Sequence, residues 1–155
     1  MDDLEALENW ADPLLAQLTP AARRALAMDI ARALRRSQQK RIAEQKAPDG
    51  TPFAPRKPRR PEGSRPRAKA GRIKRRAMFA KLRMAKLMTI QRDSEGFSIG
   101  WSGRVARIAR IHQEGRESQV APGGVKYRYP ARPLLGLSQA DRDMIRDMLA
   151  ERLAP

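Results

Sequence analysis

The sequence predicts an α+β fold: a small antiparallel β-sheet packed by helices, with an N-terminal helical extension and a long basic arm rich in proline and arginine. Three observations lead there. Helix-period apolar stripes occupy both ends of the chain, and strand-like alternation is confined to short runs after residue 85. Residues 48–71 hold six prolines and three glycines with almost no apolar content beyond Phe53. A length of 155 residues suits one domain with one modest core. Within it the pattern marks a helical region over 1–47, the extended arm over 48–71 and an α+β core over 72–155.

Leu4, Leu7, Leu14, Leu15 and Leu18 fall on one helical face. Asp12-Pro13 reads as a kink or a fresh start within that stretch, because proline has no N–H to continue a helix. Thr19-Pro20 is a clearer start signal. It opens a helix to about Gln45, with Leu26, Ile30, Ala33 and Leu34 as its buried stripe. At 1.5 Å per residue that rod is about 40 Å long. Its second half is almost wholly polar, so it is expected to lean on a partner. The cluster Pro48-Asp49-Gly50-Thr51-Pro52 ends it.

After the arm, Arg72–Met84 suggests a short basic helix, and Lys86–Arg92 and Phe97–Ser102 two strands joined by Asp93-Ser94-Glu95-Gly96. Val105, Ile108, Ala109 and His112 line one side of a helix closed by Gly115. A third strand follows Pro122-Gly123-Gly124, with Val125, Tyr127 and Tyr129 on one face, and Pro130 and Pro133 end it. Ser138 with Asp141 forms a capping box for a last helix that turns Met144, Ile145, Met148, Leu149 and Leu153 inward.

The charge is lopsided: 33 Lys+Arg against 17 Asp+Glu, net +16. Residues 1–18 carry five acids and no base, whereas 56–86 carry fourteen bases and one acid. Such asymmetry implies docking on a negative partner, nucleic acid or an acidic protein surface, and allows one copy's acidic head to meet another's basic middle. There is no cysteine and one histidine, which removes disulfides, thiolate sites and most zinc or histidine-based catalytic sets. His112 reads as a packed, hydrogen-bonded residue. The acids are scattered, and no phosphate-binding glycine loop follows a strand. The expectation is a non-enzyme with no catalytic residues, cofactor or metal, and no membrane-spanning segment. The acidic N-terminus is unlike a targeting peptide, so synthesis in the cytoplasm is expected.

Three basic runs over Arg56–Arg60, Arg65–Lys69 and Arg72–Arg76 would contact phosphates with strong salt dependence. They lack an interleaved aromatic ladder or a recognisable readout motif, so such binding would be non-specific. Arg104, Arg107 and Arg110 share one side of their helix and read first as a solvated face, with a basic patch as the alternative. The methionines read as core filling, and Trp10 and Trp101 as core or docking anchors.

Several strings in series, Leu18-Thr19-Pro20-Ala21-Ala22-Arg23-Arg24, Leu34-Arg35-Arg36-Ser37-Gln38-Gln39, Pro48-Asp49-Gly50-Thr51-Pro52-Phe53-Ala54-Pro55-Arg56, Met78-Phe79-Ala80-Lys81-Leu82-Arg83, Arg107-Ile108-Ala109-Arg110-Ile111-His112-Gln113-Glu114-Gly115 and Tyr129-Pro130-Ala131-Arg132-Pro133-Leu134-Leu135-Gly136, resemble the phage virion morphogenesis family of contractile-tailed temperate phages. The resemblance covers almost the whole chain and is loosest over 57–71. It implies a non-enzymatic structural protein, assembled in the bacterial cytoplasm, that completes or terminates the head-proximal end (the neck) of the tail so that a head can join. A hexameric ring on the sixfold tail tube is the implied form. Its implied neighbours are tube and sheath proteins, head-completion or connector proteins, and phage DNA through non-specific contact.

On that basis the candidate contacts between subunits or rings are Arg35, Arg36 and Arg41 on the long helix and Phe53, Arg56, Arg59 and Arg60 in the arm. Tyr129, Arg132, Leu134 and Leu135 join them as a rigid exposed strip. Arg72, Lys74, Arg75 and Arg76 are candidates for contact with DNA or an acidic partner. Rival expectations are a non-specific nucleic-acid-binding protein and an assembly factor that leaves the particle.

Overall fold

The computed structural model describes residues 3–56 and 77–153. Helix α1 (Asp3–Leu15) leads to α2 (Pro20–Ala43), followed by β1 (Thr89–Arg92), β2 (Phe97–Gly100), α3 (Gly103–Glu114), β3 (Glu117–Gln119), β4 (Lys126–Arg128) and α4 (Gln139–Leu153). The α+β expectation holds. The strands divide into two antiparallel hairpins instead of one three-stranded sheet. β1 pairs β2 with Ile90 opposite Ile99, and β3 pairs β4 with Ser118 opposite Tyr127. The strand expected with Val125, Tyr127 and Tyr129 on one face forms over Lys126–Arg128 and leaves Val125 exposed, and its partner Glu117-Ser118-Gln119 carries no apolar alternation to announce it.

Helix α1 is one unit, with Pro13 inside its last turn, so Asp12-Pro13 does not start a new helix. The missing donor falls where the helix is already ending. Beyond it the chain tightens through Gln17 N to Leu14 O at 3.2 Å and Leu18 N to Leu15 O at 3.1 Å. Thr19 caps α2 as its sequence suggests: its hydroxyl accepts from Ala22 N at 3.2 Å, and Pro20 takes the first helical position. The box at α4 is also formed, Ser138 Oγ accepting from Asp141 N at 3.1 Å and Asp141 Oδ2 accepting from Ser138 N at 2.9 Å.

Gly115 closes α3 in the left-handed region at φ 66°. A Cβ there would stand 2.9 Å from Ala131 N, so glycine is required by both torsion and space. The basic helix expected over 72–84 is not seen in its described part, where residues 78–88 run as consecutive turns. Phe79 sits there at φ 64°, a conformation that a helix cannot contain.

Two apolar clusters lie along α2. The first joins Leu7 and Ala11 of α1, Leu26, Ile30 and Leu34 of α2, and Ile145 and Leu149 of α4. The second gathers Ile42, Ala47, Phe53, Leu82, Met88, Ala109 and Leu134, and Ile99 packs against both. Met88 is buried and Met78, Met144 and Met148 pack at the cluster edges, as core filling requires, while Met84 is exposed. Trp101 is anchored through Nε1–H to Leu82 O at 2.8 Å, and Trp10 remains 42% exposed.

Candidate assembly interface

The polar half of α2 leans on the chain itself. The stripe Leu26-Ile30-Leu34 continues at helical spacing to Gln38, Arg41 and Ile42, all buried. These side chains receive residues 134–136. Arg41 Nη2 donates to Leu134 O at 3.2 Å, to Gly136 O at 3.3 Å and to Gln38 Oε1, while Nη1 reaches Lys46 O at 3.4 Å. Gln38 Oε1 also accepts from Gly136 N at 3.3 Å. From the other side, Gln113 of α3 accepts from Leu134 N at 2.7 Å and Leu135 N at 2.9 Å, and donates to Leu135 O at 3.0 Å. Residues 134–136 thus form a backbone spine satisfied by side chains instead of by a sheet.

Burial lowers the pKa of Arg41, and the nearby Asp141 carboxylate opposes that shift. Asp141 is itself buried, accepting from Ser37 Oγ and from Ser138. The capping box of α4 is therefore tied to α2 as well.

The arm leaves from an anchored base. Arg132 donates from Nε to Ala54 O at 2.7 Å and from Nη2 to Pro55 O at 2.9 Å. Arg56 Nη2 reaches Ala77 O at 3.5 Å, so the two residues flanking 57–76 meet. Gln45, at φ 59°, gives up ordinary torsion to hold this base. Its side chain accepts from Met78 N at 2.7 Å and donates to Met78 O at 3.0 Å, and its carbonyl accepts from Phe53 N at 2.8 Å.

A file of rings backs the base. Phe53 meets Phe79 edge-on at 5.7 Å, Phe79 meets His112 at 4.9 Å, His112 meets Tyr129 at 5.1 Å, and Tyr129 meets Tyr127 at 4.9 Å. His112 is packed as expected, yet its buried Nδ1 has no hydrogen-bond partner among the described residues. Burial lowers its pKa, and the Arg132 charge adds to the effect. The unfolded imidazole therefore binds its proton more readily than the folded one. Stability is complete above the ordinary histidine pKa and falls as pH drops below it, levelling off below the depressed folded value. Thermal melts from about pH 7.5 to pH 5 should show the wild-type midpoint falling more than that of His112→Phe, which keeps the ring contacts. Equal slopes would assign the acid sensitivity elsewhere.

These contacts correct several sequence expectations. Arg41, Phe53, Arg132 and Leu134 are buried, between 0% and 9% exposed, and serve the fold of their own chain. Residues 129–135 are a partly buried spine and not an exposed strip, because Gln113 and Arg41 draw their backbone inward. Tyr129, Leu135 and Arg35 are half-buried, and Arg36 and Arg56 are exposed. Arg59, Arg60, Arg72, Lys74, Arg75 and Arg76 lie outside the described residues. The glutamines at 38, 45 and 113 went unnoticed. Only the position of Gln38 on the α2 stripe signalled one of them.

Among the described residues no three His, Cys, Asp or Glu side chains come together as a metal-holding group, and no helix is long and apolar enough to cross a membrane. The exposed features are charged: an acidic face on α1, a cationic one on α3, and the flanks of the arm base.

The sequence over which these elements are built matches known proteins. The chain is 39% identical to "Tail completion protein S" of Escherichia phage P2 over 154 residues, 99% of each chain. No solved structure matches it. The phage virion morphogenesis family matches residues 2–154, which takes in α1, the arm, the buried spine and α4, and the chain belongs to that family.

Proposed function

We propose that this chain is a non-catalytic tail completion protein, incorporated in the virion as a ring at the head-proximal end of the tail that prepares it for head joining. The observation that carries the reading is the end-to-end likeness to the P2 tail completion protein, since the identity spans 99% of both chains and is not confined to one motif. Two features support it. The spine and arm base are held by buried side chains, giving a rigid body from which residues 57–76 depart. The described surface also carries separate acidic and cationic faces, suited to contacts between subunits. Tube, sheath and head-completion proteins are the proposed neighbours above and below, with phage DNA passing through.

The test is imaging of purified tails and virions at a resolution that counts subunits at the head-proximal end. A closed ring of this chain there is the expected result, hexameric on a sixfold tube. An empty joint, with the protein on nucleic acid or free in the lysate, overturns it. A companion prediction concerns the arm. Deleting residues 57–70 should preserve the melting transition, because Arg56 and Ala77 already meet, yet abolish infectious particles. A normal particle yield would remove the arm from assembly.

A further inference from the structure

Helix α3 turns Val105, Ala109 and His112 toward the body and presents Arg104, Arg107, Ile108 and Arg110 to solvent, with Ile108 44% exposed. It is an unpartnered helix face of mixed cationic and apolar character. Helix α1 is its complement. Leu7 and Ala11 are buried, while Glu5, Glu8 and Asp12 are exposed and Trp10 is 42% exposed. Among the described residues, none of Glu5, Glu8, Asp12, Arg104 or Arg107 takes part in an ion pair. Arg110 is tied only loosely, at 3.9 Å from Glu114.

The two faces belong to different ends of the molecule. α1 packs on Leu26, Ile30 and Leu34 of α2, and α3 belongs to the cluster at Ile42. Ile30 and Ile42 are twelve residues apart on α2, about 18 Å along its axis, and among the described residues no ion pair joins the acids of α1 to the arginines of α3. The acids advance by three and four residues and the arginines by three and three, close to one helical turn each. Two helices laid side by side therefore bring acid and base together turn by turn. Pairing α1 with α1, or α3 with α3, would set like charges together.

We infer that the outward face of α3 is the docking site for α1 of a second copy of this chain, in a head-to-tail contact that repeats around the ring. The acidic line of Glu5, Glu8 and Asp12 meets Arg104 and Arg107. This rests on the ring reading proposed above and names its interface. The contact is heterologous: each copy uses a different surface on either side, as closed rings require.

The experiment exchanges charge between the faces in the full chain. One variant carries Glu5→Arg and Glu8→Arg, so both of its faces are basic. The other carries Arg104→Glu and Arg107→Glu, so both are acidic. All four positions are exposed, and circular dichroism with thermal melts verifies that both variants fold. Sedimentation velocity then reads association. Each variant alone should bind itself at least about tenfold more weakly than the wild type does. Mixed one to one, they should assemble again in alternating order, because every α1–α3 contact regains opposite charges. If either variant associates alone as the wild type does, or the mixture stays dissociated while the wild type assembles, this interface is wrong and the ring stands on another. A wild-type chain that stays monomeric at every concentration, with no ring on tails, overturns both readings.

Discussion

Replacing Arg41 by Ala should lower stability by about 3–5 kcal/mol and the melting midpoint by roughly 10 °C for a chain of this size. The guanidinium is donor to the carbonyls of Lys46, Leu134 and Gly136 and to Gln38 Oε1, all within the second cluster or its edge. Alanine leaves the buried Leu134 carbonyl and Gln38 Oε1 without this donor, and an unmet buried acceptor costs more than its hydrogen bond contributes. It also removes the stem packed beside Ile42 and leaves Asp141 without the cation that faces it. Arg41→Lys should recover only part of the loss, because one ammonium cannot spread over the fan that a planar fork reaches. Arg36→Ala, on the exposed side of the same helix, should stay within about 0.5 kcal/mol. Equal melts for Arg36→Ala and Arg41→Ala would mean that the spine does not depend on this side chain.

The second large effect is local. Arg132→Ala should leave the body folded but free the arm base, since its two side-chain hydrogen bonds are to the carbonyls of Ala54 and Pro55. Phe53 is 7% exposed, so chymotrypsin reaches the bond after it only when this segment peels away from Phe79. Losing two charge-assisted hydrogen bonds, worth about 1.5–3 kcal/mol each at most, should raise cleavage there at least about tenfold under conditions where opening is in rapid equilibrium. Infectious yield should fall with it, because the residues flanking 57–76 are no longer held together. Unchanged cleavage would assign the anchoring to Gln45 and Arg56 instead.

Much of the scaffold was legible from residue patterns, and for physical reasons. Thr19-Pro20, Ser138 with Asp141, and Gly115 are local devices whose capping hydrogen bonds reach no more than four residues, so the string contains the cap itself. What escaped was non-local. The polar end of α2 looked partnerless because Gln38 and Arg41 do not register as core. Yet a backbone segment about a hundred residues later brings carbonyls and an N–H that only such side chains can satisfy. The same blindness made 129–135 look like an exposed strip: prolines and leucines announce rigidity but not which face is covered. Glu117-Ser118-Gln119 could not be seen as a strand, since its pairing is set by Lys126-Tyr127-Arg128 across the turn. The arm residues Arg59 and Arg60, and Arg72, Lys74, Arg75 and Arg76 after the arm, still rest on charge alone.

The division of the strands into two hairpins bears on how this chain limits unwanted strand pairing. With a single neighbour apiece, every strand among those described is an edge strand. A row of unpaired N–H and C=O groups invites pairing with another chain, and a subunit concentrated at an assembly site would be exposed to that hazard. Here the strands are only three or four residues long, and Arg92, Glu117, Lys126 and Arg128 stand on them with exposed side chains. Any sheet that tried to grow by adding strands would have to desolvate those charges for very few hydrogen bonds. Growth of either hairpin through backbone pairing with another chain is thereby disfavoured.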